Sequence, residues 1–181
     1  IIYFIIIMQL IQNGGKVVAA GGYGCIFNPA LKCGNHTIHK RDPNKITKLM
    51  TEKNATEEYE KIETFKNILK VVPNYTKYFL LNNFELCKPN KLTERDLVNY
   101  SKKCKPLKKK GITRKNINEN LDKVMAINMP DGGIDVEKYI NKTYFKGDFD
   151  KHDFVLFNNS LIDLLINGIV PMNKRSEEHT S

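Results

Sequence analysis

Tryptophan is missing from this chain, and arginine occurs only four times against 25 lysines. None of its four cysteines forms a C-x-x-C pair: Cys25, Cys33, Cys87 and Cys104 follow one another at spacings of 8, 54 and 17. Without such a pair, reduced thiols in a cytosolic protein are expected rather than disulfides or zinc. Whether Cys33 and Cys104 meet in space is not readable from spacing. Acidic residues are in deficit, 20 against 29 basic ones, for a net charge of +9. The opening apolar run, beginning Ile1-Ile2-Tyr3-Phe4-Ile5-Ile6-Ile7-Met8, gives way to Gln12-Asn13-Gly14-Gly15. That is too short for a membrane span of roughly 20 residues. It also lacks the basic start and small-residue cleavage site of a secretory signal.

What is there suffices for a core. Apolar residues make up 41% of 181 positions and charged ones 27%, which suits one ordinary domain or part of a larger one. Collagen-like and wholly disordered classes are ruled out. Twenty Asn and 19 Ile accompany the lysines, and all three have A/T-rich codons. Part of the positive charge thus reflects gene composition rather than an anionic partner. At the ends, Met8 is the expected start, with 1–7 as upstream read-through; a short apolar first strand is the other reading. Residues 175–181, Arg-Ser-Glu-Glu-His-Thr-Ser, break the composition and match a translated sequencing adapter, so the natural chain is expected to be visible only to Lys174 and the gene to continue.

Between those ends the pattern alternates strand and helix. Lys16–Ala20 and Cys25–Phe27 read as antiparallel strands around Gly21-Gly22-Tyr23-Gly24, with Asn28-Pro29 closing the second. Residues 34–45 read as a polar connection, and Ile46–Met50 as a third strand. Asn54–Lys70 is the clearest helix, with Asn54 as N-cap and Glu57 completing a capping box. Tyr78–Leu81 is a short strand candidate. Residues 88–120 are dominated by lysine and read as a polar insertion with at most a short helix around Thr93–Tyr100. Val124–Met129 is a further strand, Asp135–Phe145 a short helix, and Phe154–Gly168 a strong helix with Gly168 as C-cap.

Three features carry chemistry. The glycine turn is a plain hairpin or, with bare backbone and Tyr23 above it, a cradle for a phosphate. It is neither a P-loop nor a Rossmann fingerprint, because a strand follows it and not a helix. Lys48 projects between Ile46 and Met50 on one strand face, so it either snorkels outward or meets an anion. Glu58 shares the helix stripe of Ala55, Ile62, Phe65 and Leu69, so it either reaches water at the stripe's edge or pairs with a cation. Lys48, on the preceding strand, is the natural partner. His36, His39 and His152 are dispersed and read as solvated.

Glycine hairpin, strand lysine and inward helix glutamate, in that order, resemble the N-terminal lobe of protein kinases. Gly21–Cys33, Ile46–Met50, Pro130–Asp135 and Gly168–Asn173 resemble, more narrowly, serine/threonine kinases of large nucleocytoplasmic DNA viruses. The likeness spans about 15–174 and is absent from 88–120. It implies an α+β kinase-like fold, truncated: a five-stranded antiparallel sheet with one major helix over 14–128, then hinge and first C-terminal-lobe helices over 129–174. Gly21 and Gly24 match the second and third loop glycines, with Gly22 and Tyr23 between them. The first glycine's position falls on Ala19, a departure from the pattern. Lys48 matches the phosphate-binding lysine, Glu58 its ion-pair partner, and Ile26 the cover of the adenine. Asn128, Met129 and Asp131 fall in the hinge.

The resemblance implies ATP with Mg2+, a protein substrate and a cytoplasmic or virion setting; no membrane or nucleic-acid partner is expected. The sequence contains neither an H-R-D-like catalytic loop nor a D-F-G, so the catalytic Asp and the Mg2+ ligands are absent. The expected function is therefore that of a serine/threonine kinase fragment, itself inactive. Two alternatives are an inactive kinase-like nucleotide-binding or scaffolding module and a basic nucleic-acid binder using 88–120. That insertion is expected to project from the lobe with few core contacts.

Overall fold

The structure is a computed structural model that describes residues 15–34, 42–143 and 150–178. The readings of 1–13, His36 and His39 fall outside the described residues. Five strands form one antiparallel sheet: β1 (Lys16–Ala20), β2 (Gly24–Asn28), β3 (Lys45–Thr51), β4 (Glu85–Cys87) and β5 (Val124–Pro130). Their spatial order is β1-β2-β3-β5-β4. The chain divides into two units, one of the described residues up to 64 with 81–131, the other of 65–80 with those from 132 on.

In the first unit, strand alternation sorts the sheet into two faces. Val17, Cys25, Phe27, Leu49, Val124 and Ala126 are buried on one face. Met50 and Ile127 are buried on the other, together with Ala55 of helix α1 (Glu52–Leu69). This helix begins directly after β3, two residues before the expected Asn54 cap, so Asn54 lies within its first turn. Tyr59 and Ile62 pack on the same cluster, whereas Phe65, expected in the stripe, is 57% exposed.

The reading of 88–120 as a projecting insertion is wrong. Leu92, Leu97, Tyr100, Cys104, Leu107, Ile112 and Ile117 are all buried in the first face's cluster. Two short helices, α2 (Tyr100–Lys103) and α3 (Lys105–Lys109), and two 3-10 turns, Ile117–Glu119 and Leu121–Lys123, punctuate the segment, and Tyr100, Leu107 and Ile117 lie on them. The lysines point outward, while the apolar residues recur every three to five positions and turn inward. Polar side chains close the backbone. Asn118 accepts from Leu92 N at 2.8 Å and donates to Leu92 O at 2.9 Å, and Tyr100 Oη donates to Ile112 O at 3.0 Å. The cysteines are not free thiols either. Cys25 is bonded to Cys104 and Cys33 to Cys87, so the Cys33–Cys104 meeting does not occur.

In the second unit, Tyr78–Leu81 is not a strand. Tyr75–Tyr78 is a helical turn and Leu80 is 59% exposed. A β-prone run without a partner strand has nothing to pair with, and the fourth strand is instead Glu85–Cys87, in the first unit. Helix α4 (Val136–Thr143) begins one residue after Asp135, whose Oδ1 accepts Lys138 N–H at 2.8 Å. Helix α5 (Lys151–Asp163) is capped by Asp150, which accepts Asp153 N–H at 2.8 Å. A π-helical segment, Leu164–Ile169, continues into α6 (Val170–Glu178). Gly168 is therefore no C-cap; it is buried against Tyr78, where a Cβ would come within 3.1 Å of the ring. Lys77 binds Asp163 at 2.5 Å in the same unit. Residues Lys151–Lys174 are, by length and composition alone, apolar enough to cross a membrane.

Candidate functional site

The β1–β2 hairpin supplies the first part of the site. Ala20 pairs with Cys25 and Ala19 with Ile26, with the register shifted between Val17 and Ala19. Gly21 N–H donates to Gly24 O at 3.0 Å, closing the turn. The glycines do different work. At Gly21 and Gly22 an added Cβ would meet no atom within 4 Å, so this backbone faces open space. At Gly24 it would sit 2.3 Å from Met50 Cγ, 2.8 Å from Leu49 O and 3.3 Å from Lys48 Cγ. Only a residue without Cβ lets β2 lie this close to the Lys48 stem. Tyr23 stands at the tip, 67% exposed.

Lys48 lies midway along β3, opposite Ile26 of β2 and Ile127 of β5. Directly opposed residues share a sheet face, so the lysine stem runs between two isoleucines. On that face α1 packs through Ala55, Tyr59 and Ile62, which turns Glu58 toward the strand. Lys48 Nζ donates to both Glu58 oxygens at 2.6 Å, with the side chains 20% and 29% exposed. Such a partly solvated pair contributes about 1 kcal/mol or less to stability. Its consequence is positional: the ammonium is held at one point beside the glycine backbone, where it can meet an anionic oxygen.

The three residues expected in the hinge divide. Met129 is on the Lys48 face, two positions from Ile127, and packs against the cluster of Met50, Ala55 and Ile127. Asn128 pairs with Thr47, so its side chain is on the opposite face. There it accepts from Thr47 Oγ1 and donates to Leu31 O at 3.4 Å. Its side chain therefore belongs to the core and not to the Lys48 site, because β5 continues through it. Asp131 Oδ2 accepts from Asn28 Nδ2 at 2.9 Å, and Asp131 N–H donates to Asn44 O at 2.8 Å. Ile127 is the residue that sequence reasoning missed. The alternation Met125, Ile127, Met129 marks its face, but nothing in the sequence announced the pairing with Lys48.

Other polar groups have structural employment. Asp150, His152 and Asp153 bring ligand-type atoms within 4.8 Å of one another, but Asp150 is the α5 cap, and it and His152 are exposed. Asp135 is held below the usual carboxylate range by its hydrogen bond from Lys138. Comparison with family models, curated proteins and solved structures finds no match to this chain.

Proposed function

We propose that this chain carries the nucleotide-binding half of an ATP-dependent protein kinase active site. The observation behind the reading is the Lys48–Glu58 fork, held beside a glycine turn whose backbone faces open space. A lysine so fixed suits the α- and β-phosphates of ATP, with the Gly21 and Gly22 backbone closing over them. Ile26 and Ile127, flanking Lys48, offer the apolar surface an adenine ring requires. The β4 ladder ends at Asn128, which favours Met129–Asp131 as the stretch that meets the base edge. The serine/threonine preference rests on the family resemblance alone.

The reading implies Mg2+, and the carboxylates near this site do not suit it. Both oxygens of Glu58 are taken by Lys48, and Asp131 is bonded to Asn28. The 181 residues contain no H-R-D-like or D-F-G motif, so binding is the property proposed for them, not turnover.

The test is titration of the purified chain with a fluorescent ATP analogue. Saturable binding is expected, weakened about tenfold or more in Lys48→Met, with the loss of a charge-assisted contact to phosphate. Glu58→Gln should cost less, since it frees the ammonium without removing it. Equal binding by Lys48→Met, with the fold retained by circular dichroism, would overturn the reading.

A further inference from the structure

Beyond the Lys48 site, the first unit contains a cavity of about 260 Å³ at the tip of the β1–β2 turn. Gly22 and Tyr23 form one side, Thr51 and Asn54 at the β3–α1 junction another, and Lys109 and Lys110 of the α3 end a third. Lys48 and Glu58 are not among its walls, nor is any carboxylate. Every polar side chain facing it can donate a hydrogen bond: two ammonium groups, two hydroxyls and an amide.

The lysines differ from their neighbours. Lys103 Nζ donates to Val18 O at 2.9 Å and Lys108 Nζ to Ser101 O at 2.7 Å. Lys109 and Lys110 have no ion pair or side-chain hydrogen bond among the described residues. Their backbone is nonetheless fixed. Leu107, fully buried, and Cys104, bonded to Cys25, anchor the helix just before them. Two adjacent unneutralised ammonium groups on an anchored helix, beside side chains that can all donate and with no carboxylate among them, are arranged for an anion.

We propose that this cavity binds a phosphate group, with Lys109 and Lys110 supplying the charge. Its volume falls below the roughly 300–1,000 Å³ of small-molecule sites, so it suits a single phosphate and not a whole nucleotide. The two sources of that chemistry are a phosphorylated side chain of a protein and free inorganic phosphate. The two sites share the Gly22–Tyr23 turn but no charged residue, so the proposal is separable from the nucleotide reading through its lysines.

The experiment measures fluorescence anisotropy of a labelled phosphoserine pentapeptide and its unphosphorylated form on the full chain. The phosphorylated peptide should bind at least about tenfold tighter, and Lys109→Gln/Lys110→Gln should abolish that preference. The control Lys91→Gln/Lys115→Gln removes the same charge from exposed positions elsewhere and should retain it. Thermal unfolding midpoints verify that each variant is folded. Competition by inorganic phosphate as strong as by unlabelled phosphopeptide would assign the site to free phosphate; weaker competition would assign it to a protein-borne group. Equal affinity for both peptides overturns the proposal. So does an equal loss in the control, which would reduce the effect to net charge. The Lys48→Met variant should keep phosphopeptide affinity whether or not it binds ATP, so the two readings fail separately.

Discussion

A lysine ammonium between two isoleucine side chains is a costly position for an unpaired charge, and Glu58 relieves that cost. The residue scale also offers a cleaner case of burial acting on ionisation. Tyr100 is fully buried, and burial holds its hydroxyl well above the ordinary tyrosine value of about 10. The folded chain then keeps a proton that the unfolded chain releases. Its stabilising contribution is complete below the unfolded pKa and is lost as pH rises from there toward the raised folded value. Urea midpoints measured from pH 8 to 11 should fall more steeply for the parent than for Tyr100→Phe. At neutral pH, Tyr100→Phe should cost about 1–2 kcal/mol, because the Ile112 carbonyl loses its donor in a buried setting. Parallel alkaline arms in the two proteins would count against the burial argument.

At the scale of elements, hydrophobic pattern was legible wherever the partner surface was local. The β1–β2 hairpin, β3, α1 and β5 were each readable because alternation or helical period is imposed by one face packing inward. Lys48 and Glu58 were readable for the same reason, lying ten residues apart on consecutive elements. Residues 88–120 failed that reading because their average composition concealed the pattern. Leu97, Tyr100, Cys104 and Leu107 recur at helical spacing, yet the two helices in that stretch have only four and five residues and hold only Tyr100 and Leu107. The lysines between them dominate any composition count while merely occupying the wet side. The segment should therefore behave as core. Leu107→Ala should destabilise by about 2–5 kcal/mol, as large-to-small changes at buried leucines do. Lys109→Ala, two residues on and exposed, should stay within about 0.5 kcal/mol. Chemical denaturation of the two variants decides between core and appendage, and equal small effects would restore the insertion reading.

For the whole molecule, the covalent framework is what sequence could least supply. Four cysteines allow three pairings, and spacing does not choose among them. Folding chooses: β2 brings Cys25 under the helix that begins after Cys104, and Cys33 meets Cys87 where the β2–β3 connection passes the end of β4. Both bonds fasten the 88–120 segment or its flank to the early strands, so they reinforce the face already closed by Phe27, Leu49 and Leu107. The outer bond closes a separation of 79 residues and the inner one 54, the second lying within the first. Chain-entropy arguments assign a closure of this length about 4 kcal/mol. Nested loops share that entropy, so losing both should cost less than twice the loss of either. Reduction with dithiothreitol should thus lower the urea midpoint strongly, and Cys25→Ser/Cys104→Ser should reproduce most of the drop. Cys33→Ser/Cys87→Ser added to it should contribute a smaller further step. Peptide mapping without reductant should recover the 25–104 and 33–87 pairs from the purified chain. Four free thiols in that map, with no shift on adding dithiothreitol, would return the protein to the reduced, cytosolic reading and leave apolar packing and hydrogen bonds such as Val17 N–H to Val98 O to hold 88–120 in its position.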